Sequence, residues 1–287
     1  MVQYTHETMP FTRRDKRGKN TMGKDLMSFT PEIFSLKDKV IMITGANQGL
    51  GMAYAIALAR MGADIFVPHF TEDVSEVRQK VESMGRRIGF SRGDLTDPAY
   101  REKCVQDCMD MYGRIDVLIN NAGTNFAAAY IDFPDEKWKM VIDLQLEAVH
   151  YLSHLVAPIM RQQGGGKIVN VASALSFSAD LNATAYTVAK HGIVGLTRSL
   201  AAELGRYNIT ANAIAPGFFE SDANIMIRNA DPKMFGKVCD RIPLNTGESW
   251  GDIYDLMGPM VFLCSPASDY VSGDVLVVDG GFKAQMV

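Results

Sequence analysis

From Leu36 onward, short β-rich apolar runs alternate with helical stretches, and this alternation limits the fold more than any other feature of the sequence. "KVIMITG" reads as a buried strand, and "MAYAIALARMG" as a helix ending at Gly62. "DIFVPHF" and "SEVRQKVESMG" repeat the unit. "RIGFSRGD" follows, with "PAYREKCVQDCMDMYG" opened by Pro98 and closed by Gly113. "IDVLINNAG" is a fourth strand running into a loop, and a long helical region from Asp135 to about Arg161 leads to "GGGKIVNVAS". A helix carrying "AYTVAKH" and the strand "ITANAIAPG" come next. An irregular segment from about Phe218 to Gly251, the helix "DIYDLMGPMVFLCS" and a last strand "VLVVDGG" complete the chain. Strands alternating with helices predict an α/β, doubly wound domain: a parallel sheet of about seven strands with helices on both faces. Strands buried on both sides are near-continuously apolar, as these are.

The 287 residues are 47% hydrophobic and 22% charged, an ordinary globular composition. A formal net charge of -4 excludes bulk attraction to nucleic acid. No apolar run approaches a membrane span, and four cysteines without a paired or metal-binding pattern fit reduced thiols in a cytoplasmic protein. Cys104, Cys108, Cys239 and Cys264 form no Cys-x-x-Cys and no metal set. Residues 1–34 are polar and basic, with Arg13, Arg14, Lys16, Arg17 and Lys19 clustered, and read as a mobile tail ahead of a domain over 35–287.

The first strand ends in "TGANQGLG", with Gly45, Gly49 and Gly51 at a strand-to-helix turn. Glycine suits a place where backbone must turn tightly and approach a phosphate, and the following helix points free N–H groups at that phosphate. The position on the first strand of an α/β repeat points to a dinucleotide. An acidic residue at the end of the second strand favours NAD, and a basic one NADP. Here "VPHF" places Pro68 and His69 there, and Gln48 precedes Gly49, so no fixed positive charge is visible. NAD is expected over NADP. His69 is either a ribose contact or an exposed loop imidazole.

Tyr186 and Lys190 are four residues apart, about one helical turn, and so share a face. A lone pair of this kind is most often a surface pair. Here "TGANQGLG", "NNAG", "VAS", "AYTVAK" and "APGFFES" occur in order, and together they resemble the short-chain dehydrogenase/reductase family over about Leu36 to Phe282. The resemblance implies a Rossmann-type domain, a nicotinamide cofactor, and Ser173, Tyr186 and Lys190 as catalytic residues, with Ser173 thirteen residues before Tyr186. A phenol titrates near 10, and a lysine cation with a positive nicotinamide would lower that value toward a working base. Tyr186 would then exchange a proton with an alcohol or carbonyl, and Ser173 would hold the reacting oxygen. Lys190 would also bind the ribose.

The resemblance also implies cofactor contacts at Gly45, Asn47, Gln48, Gly49, Leu50 and Gly51 in the loop. It adds Asp94 and Leu95 at the adenine, Asn121, Ala122 and Gly123, and the loop Pro216, Gly217, Phe219 and Ser221. One position departs: "VIDLQLEAV" places Gln145 where the family carries an asparagine that anchors a relay water. Gln145 is either that relay residue or a helix amide satisfying backbone groups. "KIVNVASALSF", "DLMGPMVFLCSPASDYVSGDVLVVDGG" and "FSLKDKV" resemble the sugar-acid branch, the gluconate and deoxygluconate dehydrogenases. A carboxylate needs a cation; Arg228, Arg241, Asn125 and Asn182 are the polar candidates, and the 218–251 segment is the expected lid. The family pattern implies a homotetramer, with His191 packed or facing a neighbour. A 3-oxoacyl thioester reductase or general alcohol dehydrogenase is the alternative reading, and a cofactor-binding protein without catalysis the third.

Overall fold

Val40–Ile43 (β1) and Asp64–His69 (β2) are buried at every residue, which is why they sit centrally in a sheet covered on both faces. The structure is a computed structural model and describes residues 12–14, 20–22, 26–71, 73–220, 232–244 and 250–285. Contacts divide the chain into Met1–Ile33 and Phe34–Val287. In the first unit, Thr12–Arg14 pairs antiparallel with Asn20–Met22.

In the second unit, the strands alternate with helices. β1 is followed by Gly49–Arg60 (α1), β2 by Ser75–Glu82 (α2), and Ile88–Arg92 (β3) by Pro98–Tyr112 (α3). Val117–Asn120 (β4) leads to Asp135–Ile142 (α4) and Ala148–Gln163 (α5), then Gly166–Val171 (β5) and Thr184–Leu204 (α6). Ile209–Pro216 (β6), Pro232–Cys239 (α7), Met257–Cys264 (α8) and Val275–Val278 (β7) finish it. Among the described residues these strands form one parallel sheet in the order β7-β6-β5-β4-β1-β2-β3. The order reverses between β1 and β4, the switch point beyond whose carboxyl ends ligands bind in such sheets.

Alternate side chains divide the core. Ile41, Ile43, Ile65 and Val67 pack toward α1 and α8, with Tyr54 and Leu58 of α1. Val40, Met42 and Phe66 pack on the other face with Cys104, Cys108, Leu152 and Val156 of α3 and α5. Both of these α3 cysteines are core residues, as their shared helix face predicts. A buried polar chain crosses this face: Asn120 Nδ2 donates to Asn170 Oδ1 at 2.9 Å, and Asn170 Nδ2 to Thr197 Oγ1 at 2.9 Å. It ties β4 and β5 to α6, which carries Tyr186 and Lys190.

Two elements depart from the sequence reading. The long helix after β4 is interrupted by a π-helical turn over Asp143–Glu147, and Gln145 lies in it. The segment read as irregular contains α7, whose Phe235, Val238 and Cys239 recur at helical spacing and pack with Trp250, Phe218 and Phe282. Its eight residues and internal Gly236 weaken the periodic signal. Arg228 and Ser221 lie outside the described residues.

Candidate active site

Three glycines shape the loop after β1. Gly45 and Gly49 have φ of +65° and +56°, the left-handed region that glycine enters without steric cost. Gly51 has a different reason: a Cβ there would lie 2.5 Å from Asn121 Nδ2 and 2.6 Å from the Gly45 carbonyl oxygen. Asn121 clamps the loop, its Nδ2 donating to the Thr44 carbonyl at 2.9 Å. The buried Thr44 hydroxyl accepts the N–H groups of Asn121 and Ala122 at 3.0 and 2.9 Å. This threonine is a structural residue the sequence reading passed over; its signal was the place directly before Gly45. Gln48 makes no side-chain cap at the start of α1 among the described residues, leaving first-turn N–H groups for a ligand. A cradle that a Cβ would fill, beside uncapped N–H groups, fits a dinucleotide pyrophosphate. Leu50 lies in the first turn of α1.

The adenosine end differs from expectation. His69 is buried rather than an exposed loop imidazole, because its ring packs edge-on against Phe90 and Nδ1 bonds the Thr71 carbonyl at 2.7 Å. Asn47 Nδ2 reaches the Thr71 hydroxyl at 2.5 Å and so joins the glycine loop to the end of β2. Asp94 holds the Thr96 N–H at 2.8 Å, and Leu95 is buried.

Ser173 ends the chain run after β5 and caps a short 3-10 turn, Ala174–Ser176, its hydroxyl accepting the Leu175 N–H at 3.2 Å. Ser176 Oγ takes the Ser173 N–H and donates to the Lys190 carbonyl at 2.8 Å, joining this turn to α6. Tyr186 and Lys190 do share a helix face, with the Lys190 ammonium 5.5 Å from the centre of the Tyr186 ring. A hydrogen bond links Ser173 to Tyr186. Lys190 Nζ donates to the Val171 carbonyl at 2.6 Å. The structure thus brings the three sequence-expected residues together at the ends of β5 and α6.

The electrostatics correct one expectation. Burial pushes the Tyr186 phenol up from its ordinary value, and the Ser173 hydrogen bond offsets only part of this. Burial pushes Lys190 down to about 7. In the protein by itself, desolvation favours both groups neutral and outweighs the lysine's attraction for a phenolate. Stability carries the consequence. Above about pH 7 the folded Lys190 is neutral, while the unfolded side chain stays protonated up to its ordinary 10.5. The unfolded chain binds more protons in that window, so stability rises with pH by about 1.4 kcal/mol per unit. Lys190→Met removes this slope. Melting curves from about pH 7 to about pH 9 should therefore favour wild type increasingly over the variant; parallel curves would show that Lys190 carries no such penalty.

The remaining candidates separate. Gln145 is buried, its Nε2 donating to the Thr124 carbonyl at 2.6 Å, and its Oε1 has no partner among the described residues. A Cβ on Gly123 would meet that Oε1 at 2.8 Å, so glycine is required beside this longer side chain. Pro216 ends β6 opposite Val278. Gly217 stands where a Cβ would come within 2.6 Å of the Asp279 Cβ. Phe219 is buried against Gly251 rather than lining an open loop. Asn182 has φ of +60° and accepts the Ala128 N–H at 3.1 Å, joining the loops before α6 and after β4, the latter carrying Asn125. Arg241 stacks over Phe282 at 4.5 Å. His191 is exposed and its Nδ1 bonds the Thr187 carbonyl at 2.9 Å. No described helix is long and apolar enough to cross a membrane.

The family model described as "Enoyl-(Acyl carrier protein) reductase" matches residues 45–283, from the glycine loop to beyond β7. The chain is a short-chain dehydrogenase/reductase. It is therefore a nicotinamide-dependent oxidoreductase acting on alcohol and ketone groups. An uncharacterized oxidoreductase of Escherichia coli, YgcW, is 41% identical over 259 residues, covering 90% of this chain and 98% of that one. The 2-dehydro-3-deoxy-D-gluconate 5-dehydrogenase of Dickeya dadantii is 39% identical over 253 residues, covering 88% and 98%. A crystal structure of a gluconate 5-dehydrogenase from Burkholderia cenocepacia, in complex with NADP and tartrate, superposes with a TM-score of 0.83 at 30% identity, covering 89% of this chain and 99% of that one.

Proposed function

We propose that this short-chain dehydrogenase/reductase interconverts a hydroxyl and a ketone on a sugar acid of the gluconate or deoxygluconate type. The observation that carries the reaction is the half-buried Tyr186 phenol, hydrogen-bonded to Ser173 with Lys190 on the same face. The substrate class rests on relatives named as gluconate and deoxygluconate dehydrogenases at 39% and 30% identity. Tyr186 is the general acid and base at the substrate oxygen, and Ser173 donates to that oxygen as negative charge builds on it. Lys190 holds the nicotinamide ribose, its Nζ placed by the Val171 carbonyl. Bound dinucleotide supplies the hydride donor or acceptor. Gly45, Asn47, Gln48, Gly49, Leu50 and Gly51 hold its pyrophosphate side. Asp94, Leu95 and His69 flank its adenosine, and Asn121, Ala122, Gly123, Pro216 and Gly217 its nicotinamide half.

Gln145 takes the relay position in this proposal. Its unpartnered Oε1 is an acceptor for a water, which a buried amide oxygen otherwise lacks at a cost. Nothing at the end of β2 among the described residues supports NAD over NADP, and the Burkholderia relative holds NADP. Both dinucleotides belong in the assay. The chain is also proposed to assemble as a homotetramer, with the exposed Tyr151 of α5 and Val188 of α6 on the pairing faces.

Absorbance at the nicotinamide band, read with gluconate, 2-dehydro-3-deoxygluconate, their 5-keto forms, a 3-oxoacyl thioester and simple alcohols, tests the substrate class. Turnover of a sugar acid well above the thioester and the alcohols is expected. Preference for the thioester would move the chain to a different branch of the family.

A further inference from the structure

We propose that Lys283 is the cation that binds the substrate carboxylate, an inference that rests on the sugar-acid reading above. Sugar acids bring one full negative charge into the cleft, and a carboxylate there calls for a cationic partner. Lys190 is committed to the Val171 carbonyl, and Arg241 lies over Phe282. Asn125 and Asn182 are neutral. Lys283 is placed differently. Its Nζ sits 3.5 Å from the centre of the Phe177 ring, and it makes no ion pair among the described residues. Phe177 closes the short turn that Ser173 opens, its N–H bonded to the Ala174 carbonyl at 3.2 Å.

The other end of Lys283 is fixed as well. Asp279 follows β7 and packs on Gly217, and its carboxylate takes the N–H groups of Gly281 and Lys283, each at 2.8 Å. Gly280 and Gly281 have φ of +62° and +88°, so the chain turns tightly after Asp279. The lysine therefore starts from the Pro216–Gly217 wall and reaches across to the Ser173 wall. An aromatic face holds an ammonium weakly and leaves its N–H groups free for a stronger anionic partner. The side chain is exposed and so is accessible to a solute.

The test compares wild type, Lys283→Met and Lys283→Arg on gluconate and on sorbitol, its neutral counterpart with the carboxylate reduced to an alcohol. In the methionine variant, KM for gluconate should rise about tenfold or more with kcat little changed. Activity on sorbitol and the thermal midpoint should stay as in wild type, and arginine should restore the gluconate KM. An unchanged gluconate KM in Lys283→Met overturns the proposal. So does an equal loss on both substrates, which marks a structural role. If wild type oxidises sorbitol and rejects all sugar acids, the substrate reading fails first, and that failure is visible without any variant.

Discussion

Tyr186→Phe is expected to lower kcat by about 10²–10⁴-fold while leaving dinucleotide binding nearly unchanged. The substitution removes one oxygen and keeps the ring. The phenol is half-buried on α6, and its hydroxyl meets Ser173. The ring's packing and the Lys190 contact 5.5 Å from its centre remain, so the fold is retained. What is lost is the proton donor and acceptor at the substrate oxygen. Rates and a fluorescence titration of the reduced dinucleotide on the same preparation check this. Equal kcat in the two proteins would assign the proton transfer elsewhere, and loss of binding would make Tyr186 a cofactor residue only.

Gly51→Ala has the second large expected effect, at the other end of the site. The added methyl would sit 2.5 Å from Asn121 Nδ2 and 2.6 Å from the Gly45 carbonyl oxygen. Neither neighbour can yield, because Asn121 is held to Thr44 by two hydrogen bonds, and Gly45 donates its N–H to Pro68 at 2.8 Å. Overpacking of this kind costs about 1–3 kcal/mol of stability. Displacing the loop should weaken dinucleotide affinity by more than about tenfold, since its N–H groups no longer converge. Gly49→Ala is the control. Nothing lies within 4 Å of a Cβ there, so only the left-handed backbone is strained, at about 1 kcal/mol. A calorimetric titration with NADP and a melting curve should rank Gly51→Ala as much the worse. Equal effects would mean that backbone conformation, and not space, sets the glycine requirement.

The parallel sheet was legible because β1, β2 and β4 are buried along their length and therefore largely apolar. Ser173, Tyr186 and Lys190 were legible for a different reason. Helical spacing puts the tyrosine and lysine on one face, but their role and that of the serine came from the resemblance carried by "VAS" and "AYTVAK" in order with the glycine loop. Less of the rest could be read. His69 could be read as a ribose contact or as an exposed loop imidazole, and its burial depends on Phe90 of the neighbouring strand, a partner no local pattern shows. α7 is held by Trp250, Phe218 and Phe282, each distant in sequence. The Tyr186 phenol moves upward because desolvation outweighs the neighbouring lysine, and burial depth is a tertiary quantity. Lys283 lies near the end of the chain, and only the turn after Asp279 brings it to the Ser173 turn.

Hydride transfer to a sugar acid is tested most directly by isotope. Reduced dinucleotide carrying deuterium at the reactive C4 position is incubated with the 5-keto form of gluconate, and the product is examined by mass spectrometry. One deuterium on the new carbinol carbon is expected with wild type, and none above background with Tyr186→Phe. A labelled dinucleotide that is bound but returned intact, with the 5-keto forms of gluconate and 2-dehydro-3-deoxygluconate both unreduced, would contradict the assignment of this centre to sugar-acid chemistry.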